Sequence, residues 1–233
     1  MCKGSYKLIE AEIKRKIPKI DNWEDILTSN VFGLLDLIDN KYLLEIVSTA
    51  TNIDGKTLED TVKNKKIKNI ELWKNFKNFG EPDIVVTLND NSFFIIEVKY
   101  FSHEHNSKKE VLEDTNEGQP QVQGQLEKYL NIEIDNKKSD FIIYLTQDYQ
   151  SLKVIQDNKQ NSSNNVIDKI YHIHWNKFNE FFNGLENIQG VEKNIISKLE
   201  EYLEYKGFSY WNGFKYKTEY ENLNTKIGGF YDA

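Results

Sequence analysis

Two acidic residues and one lysine lie at the ends of neighbouring apolar segments of the chain. Asp83 comes directly before the run Ile84–Leu88, and Glu97 and Lys99 follow the run Phe93–Ile96. Both runs are short, almost wholly apolar and rich in β-branched and aromatic residues, which predicts two buried β-strands. The strands would form a hairpin with the three charged side chains at its open end.

The length of the turn decides whether the two carboxylates meet. A turn made of Asn89–Asn91 would pair Leu88 with Ser92 and, five pairs further back, Asp83 with Glu97. Directly opposed residues share a face of the sheet, with Cβ atoms about 5 Å apart. The lysine, two residues further on, would lie on that face about 7 Å along the strand. A two-residue turn would instead place the carboxylates on opposite faces, and both alternatives are open at this point.

Two carboxylates at that separation repel each other, and a divalent cation between them relieves the repulsion. Oxygen ligands of this kind suit Mg²⁺ or Mn²⁺ better than zinc. A lysine beside such an ion suits phosphate chemistry, because it can orient or help deprotonate an attacking water or neutralise charge on the phosphorane. The competing interpretation is a weak surface salt bridge at the strand ends.

The motifs resemble the Pro-Asp…(Asp/Glu)-x-Lys signature of the restriction-endonuclease-like nuclease superfamily. Glu81-Pro82-Asp83 and Glu97-Val98-Lys99 match that signature, with the apolar run between them. Upstream, the segment 23–33 resembles the first core helix, and downstream, the segment 125–130 resembles a Gln-x-x-x-Tyr helix of several nuclease branches. The resemblance covers roughly residues 20–150.

The resemblance implies a metal centre and a catalytic lysine. Asp83 and Glu97 would be metal ligands, with the carbonyl of Val98 as a third oxygen, and Lys99 would be the catalytic lysine. Glu24 would complete the metal shell from the first helix. Its neighbour Asp25 points about 100° away on a helix, so only one of the two can serve.

The same resemblance makes Gln125 a catalytic-site residue that orients the substrate or the lysine. Tyr129, one helical turn further on, would lie on the same helix face. An ordinary polar helix position explains this glutamine equally well. Three further glutamines nearby, Gln119, Gln121 and Gln123, leave the register of the motif open.

The implied activity is Mg²⁺- or Mn²⁺-dependent hydrolysis of DNA by an endonuclease that leaves 5′-phosphate ends, with a role in defence against foreign DNA. Other readings of the same residues are an enzyme acting on RNA or on a small phosphodiester, and a binding or regulatory module that keeps the fold without turnover. The net charge of −7 and the single arginine, Arg15, favour the module slightly. A homodimer or a partner subunit is compatible with each alternative.

The element pattern predicts an α/β fold, with a mixed sheet of four to five strands flanked by helices and a helical C-terminal extension. We expect one domain over residues 1–233, with its core at about 20–150 and the extension at about 151–233. Periodicity and turn residues predict helices near 24–40, 42–52, 119–131, 176–183 and 191–206, and strands near 84–88, 93–96, 141–146 and 167–174. The segment 67–76 fits a helix or a strand, and its pattern favours a strand slightly.

Composition excludes several classes of protein. A hydrophobic content of 39% over 233 residues excludes a wholly disordered chain. No apolar run approaches the roughly 20 residues of a membrane-spanning helix, and no secretory signal is visible, so we expect a cytoplasmic protein without a membrane partner. Cys2 is the only cysteine, which excludes an intrachain disulfide and a cysteine-based zinc site.

Several other features allow a functional or a structural interpretation. The lysine-rich stretches 1–20 and 56–77 could hold a polyanion or be solvated surface. The pair His103 and His105 lies in a polar loop and has low weight as a metal site. We interpret His172 and His174, on a predicted strand, as structural. Core packing or a dimer interface is the favoured use of the aromatic tail residues Phe208, Tyr210, Trp211, Phe214 and Tyr216.

Overall fold

The computed structural model describes residues 23–100, 126, 128–147, 155 and 167–208. Its helices are α1 Trp23–Leu35, α2 Lys41–Ser48, α3 Glu59–Val62, α4 Trp175–Asn183 and α5 Gly190–Tyr205. Its strands are β1 Ile67–Leu72, β2 Ile84–Leu88, β3 Phe93–Lys99, β4 Glu133–Ile134, β5 Lys137–Lys138, β6 Ile142–Thr146 and β7 Ile170–His174. In the described ranges, no helix combines the length and apolar character needed to cross a membrane.

Five strands form one mixed sheet in the order β1-β2-β3-β6-β7. β1, β2 and β3 are antiparallel neighbours, whereas β3, β6 and β7 run parallel to one another. This confirms the predicted α/β class with a helix-flanked mixed sheet. β7 lies beyond residue 150, in the part expected to be a helical extension, so that part supplies both flanking helices and the fifth strand of the sheet.

The side chains of the sheet alternate between two apolar layers. One layer packs against α1, α2, α4 and α5 and includes Ile84, Val86 and Ile96. The other includes Val85 and Ile95 together with buried residues of the segment 126–132. Helices therefore cover both faces of the central strands, which explains why the two apolar runs show no polar alternation.

The β2–β3 hairpin has the three-residue turn on which the meeting of the carboxylates depends. Leu88 N–H donates to the carbonyl of Ser92 at 2.8 Å, and the strand pairs continue from Thr87 opposite Phe93 to Ile84 opposite Ile96. The two-residue alternative is therefore wrong, and the next position along the ladder sets Asp83 against Glu97.

Asn91 makes the turn feasible because its φ of 59° lies in the left-handed region. Asparagine tolerates this conformation, whereas a β-branched residue does not. We expect Asn91→Val to lower the free energy of unfolding by about 1–2 kcal/mol, and Asn91→Gly to be close to neutral. Urea unfolding of both variants measures the difference. Equal stability of the two variants would contradict this account of the turn.

The first two helices are shorter than predicted. α1 ends at Leu35 and not near residue 40. Asp39 lies between the two helices and accepts a hydrogen bond from the N–H of Lys41, the first residue of α2, at 3.0 Å. α2 ends at Ser48 and not near residue 52, because Thr51 exchanges backbone hydrogen bonds with His172 of β7.

Several other boundaries also differ. β1 ends at Leu72, β3 runs on to Lys99, and the start of the predicted strand 167–174 is a 3-10 helix, Ile167–Lys169. The small β4–β5 hairpin was not predicted, although Asp135 and Asn136 at its turn both have positive φ. Of the predicted helix 119–131, the described residues 126 and 128–130 are helical, and the rest lies outside the description.

Candidate active site

The hairpin register brings Asp83 to Glu97 at the open end of β2 and β3. Asp83 precedes the first residue of β2, and its Oδ2 accepts a hydrogen bond from the backbone N–H of Val98 at 2.7 Å. Glu97 is 4% exposed and follows the apolar residues of β3. At the end of the β2–β3 ladder, the side chain of Asp83 thus takes the place of a backbone acceptor. This hydrogen bond holds the carboxylate of Asp83 against β3, the strand that carries Glu97.

Lys99 lies between two carboxylates. Its Nζ is 3.1 Å from Glu97 Oε1 and 3.3 Å from Glu24 Oε1. Glu24 Oε2 also accepts a hydrogen bond from the N–H of Tyr100 at 2.9 Å, so this helix residue holds the end of β3. Asp25 is exposed, and Glu24 is therefore the acidic residue of the pair that reaches the cluster.

Burial and mutual repulsion disfavour the charged forms of the two opposed carboxylates. Burial, and then the charge of Glu97, raise the pKa of Asp83 to about 8. Burial also raises the pKa of Glu97, although the ammonium of Lys99 opposes that rise. Without a further cation, this pair therefore carries less than its full negative charge near neutral pH.

The same cluster keeps Lys99 protonated. Burial alone would lower the pKa of Lys99, but the carboxylates of Glu97, Glu24 and Asp83 outweigh it and raise the pKa above its ordinary value. An ammonium in this position donates hydrogen bonds and offsets negative charge, and it does not accept a proton. Three roles are expected for the lysine: to orient an attacking water, to help deprotonate it, or to neutralise a developing charge. The arrangement favours the first and the third.

The donor set fits a hard divalent cation. Glu97 Oε2 is buried and has no hydrogen-bond partner within the described part of the chain. Among the described residues, no three His, Cys, Asp or Glu side chains are grouped so that they could hold a metal ion between them. Mg²⁺ commonly takes only one or two protein carboxylates and completes its shell with water and substrate phosphate, so Asp83 and Glu97 suffice.

The structure bears unequally on the other predicted site residues, Glu24, Val98 and Gln125. Glu24 engages Lys99 and the amide of Tyr100 with its two oxygens, which favours support of the lysine. Val98 supplies its amide to Asp83, and the role of its carbonyl as a ligand stays a prediction. Gln125 lies outside the described residues. Its neighbours Leu126 and Tyr129 are buried on the face of the sheet to which Glu97 and Lys99 belong.

The cluster lies where three parallel strands end. β3, β6 and β7 run in one direction, and in open α/β sheets ligands bind beyond the carboxyl ends of such strands. Lys99 is level with Thr146 of β6, a buried neighbour that sequence reasoning missed. The chain contains no local signal for this contact, because the register of strands joined by a long connection cannot be counted from a turn.

Of the other sequence features, some lie within the residues that the structure describes and others lie outside them. His174 caps α4 through its Nδ1, and Phe208 is buried and stacked on Trp175 at 5.4 Å, both of which are structural roles. In the lysine-rich stretch, Lys65 pairs with Asp90. The His103 and His105 pair, the tail beyond Phe208 and the N-terminal stretch 1–20 lie outside the described residues.

Comparison with known proteins gave no match: no family model, no curated protein and no solved structure matches this chain. The resemblance to restriction-endonuclease-like nucleases stays a prediction made from the motifs. What the site can do follows from its side chains: two opposed carboxylates, Glu97 buried and Asp83 half-buried, and an ammonium at the carboxyl end of a parallel strand.

Proposed function

We propose that the protein is a metal-dependent phosphodiesterase that cuts DNA as an endonuclease. The observation that carries the proposal is the pairing of Asp83 with Glu97, with Lys99 held beside them at the carboxyl end of β3. Two opposed carboxylates with raised pKa values, one buried and one half-buried, lower the stability of the fold unless a cation or a proton binds to them. Carboxylates with pKa values raised in this way are typical of a functional site.

Asp83 and Glu97 would hold the cation, Mg²⁺ or Mn²⁺, which supplies Lewis-acid activation of the phosphodiester. The ammonium of Lys99 donates hydrogen bonds to the attacking water or to a non-bridging phosphate oxygen, and it offsets the charge that develops there. Glu24 holds that ammonium in place from α1. The N–H of Val98 orients the carboxylate of Asp83.

A second candidate is a binding or regulatory module that retains this site without turnover. The overall charge of −7 favours it, because a negative protein repels a polyanion at long range. The site chemistry is also compatible with RNA or a small phosphodiester, since the metal centre contacts only a phosphate. A role in defence against foreign DNA rests on the resemblance alone.

Plasmid nicking tests the proposal. We expect the wild-type protein to convert supercoiled DNA to nicked or linear forms with Mg²⁺ or Mn²⁺ but not with EDTA, and Asp83→Ala to lose at least about 10²-fold in rate. Glu81→Ala is a matched control, because this acidic residue lies two positions away and is exposed.

Metal-dependent cleavage that persists in Asp83→Ala would contradict the assignment of the metal centre to Asp83 and Glu97. Binding of DNA in EDTA, with no cleavage in either metal ion, would favour the module. Calorimetric titration of Mn²⁺ into the wild type and Asp83→Ala then distinguishes a site that binds the ion without turnover from the absence of a site.

A further inference from the structure

Two polar residues of neighbouring strands continue the rows that contain Glu97 and Lys99. In the parallel ladder, Glu97 is level with Tyr144 and His172, and Lys99 is level with Thr146 and His174. Residues level with each other in a parallel sheet point to the same face. The face that carries the charged cluster therefore continues across β6 and β7, and polar groups continue along it.

Thr146 and His172 contact each other on that face. Thr146 Oγ1 and His172 Nε2 are 2.8 Å apart, and the imidazole lies 6.5 Å from the ring of Tyr144 between ring centroids. Thr146 is 1% exposed, whereas His172 is only partly buried. The buried hydroxyl thus contacts an imidazole that belongs to a partly exposed residue.

The second histidine of the strand differs in this respect. His174 Nδ1 accepts a hydrogen bond from Asn176 N–H at 3.1 Å, and its Nε2 bonds the carbonyl of Gln147. One ring nitrogen of His174 therefore caps the start of α4, and the other contacts the backbone just after β6. His172 and His174 therefore have different surroundings. Of the two, only His172 is partly exposed and level with Glu97 across the sheet.

We propose that His172 contacts the substrate at a phosphate next to the one that is cut, and that Thr146 is its positioning residue. The inference rests on the proposed phosphodiesterase function. Two strand spacings, about 10 Å, separate the β3 and β7 backbones, which is too far for His172 to share the phosphate held at Asp83 and Glu97. A chain with consecutive phosphates reaches both points, and a small diester does not. The site is therefore built for a polynucleotide.

Steady-state kinetics on two substrates test this inference: a short DNA duplex and bis(p-nitrophenyl) phosphate, which has a single phosphate. His172→Phe keeps a ring beside Tyr144 and removes the hydrogen bonds, and we expect it to raise KM for DNA by about tenfold with little change in kcat. For the small diester, both parameters should be unchanged. His172→Gln, which restores a polar group, should recover part of the loss.

Thr146→Val should raise KM for DNA in the same direction by a smaller factor. Its effect should not add to that of His172→Phe, because the hydroxyl acts through the imidazole. Fluorescence anisotropy of the same duplex in EDTA gives a second readout that is independent of turnover. His174→Asn, which keeps a helix-capping side chain, is the matched control and should leave KM for DNA unchanged.

The outcomes separate the two proposals. Equal changes on both substrates would show that His172 only supports the fold, and an unchanged KM and DNA affinity would show that it makes no substrate contact; either result overturns the inference and leaves the nuclease proposal standing. A wild-type protein that neither cuts nor binds DNA would overturn both.

Discussion

Asp83→Asn should abolish DNA cleavage and, at the same time, make the folded protein more stable above neutral pH. Asparagine keeps an oxygen that can accept the hydrogen bond of Val98 N–H, but it cannot supply the negative charge that a cation requires. It also removes a half-buried carboxylate that repels Glu97. Gain of stability with loss of activity is expected where a site stores unfavourable electrostatic energy.

The pH dependence of this effect has a defined sign. The pKa of Asp83 is about 8 in the folded protein against an ordinary value of 3.8, so between these values the folded state binds a proton that the unfolded state has lost. The free energy of unfolding therefore falls as pH rises through that window, and the full loss is present above it. The raised pKa of Glu97 adds a contribution of the same sign.

Urea unfolding at about pH 5 and about pH 8.5, without divalent ions, measures this difference. We expect the free energy of unfolding of Asp83→Asn to exceed that of the wild type by about 2 kcal/mol at the higher pH, a modest value because relaxation and water reduce the burial penalty. The difference should be smaller at the lower pH, where Asp83 is protonated in the folded wild type. Glu81→Gln should change neither value. A variant less stable than the wild type at the higher pH would mean that the carboxylate of Asp83 stabilises the fold.

Lys99→Met should also abolish cleavage, with the opposite effect on stability. Methionine fills a similar volume but leaves Glu97 and Glu24 without their shared ammonium partner. We expect a loss of about 2–4 kcal/mol at about pH 8.5, because removing one partner of a largely buried ion pair leaves uncompensated charge. The loss should shrink at about pH 5, where the carboxylates can bind protons.

The control for this variant is Lys177→Met, which removes an exposed ion pair with Glu180 and should be nearly neutral. The double variant with Asp83→Asn should be more stable than Lys99→Met alone, because it removes one of the carboxylates that the ammonium balances. A pH-independent loss in Lys99→Met would mean that packing, and not charge, determines its contribution. Cleavage that remains within about tenfold of the wild type would remove Lys99 from the mechanism.

The hairpin was predictable because its information is local. Two apolar runs define the strands, and the polar residues Asn89–Asn91 limit the turn to two or three residues. The structure selects three, and with that choice the register that sets Asp83 against Glu97. A turn of fixed length sets the pairing by counting. The class of the fold followed in the same way, from the order of short apolar runs and amphipathic stretches.

The other parts of the site depend on contacts between distant segments. Glu24 reaches Lys99 and Tyr100 from a helix about 75 residues earlier in the chain, and only packing selects it over Asp25. Thr146 lies beside Lys99 because β6 joins β3 in parallel, a pairing that no turn specifies. Thr51 ends α2 early through its bonds to β7, a tertiary contact that overrides local helix propensity.

Both outer strands of the central sheet have features that discourage pairing with another chain. β1 has an irregular register between Ile67 and Asn69, and Lys68 beside it is exposed. At the opposite edge of the sheet, the backbone N–H and C=O of His172 in β7 are hydrogen-bonded to the backbone of Thr51. Bulges, lysines and covering segments are the means by which proteins prevent edge-to-edge association. We therefore expect any second copy or partner subunit to bind through helix or loop surfaces, and not by extending the sheet.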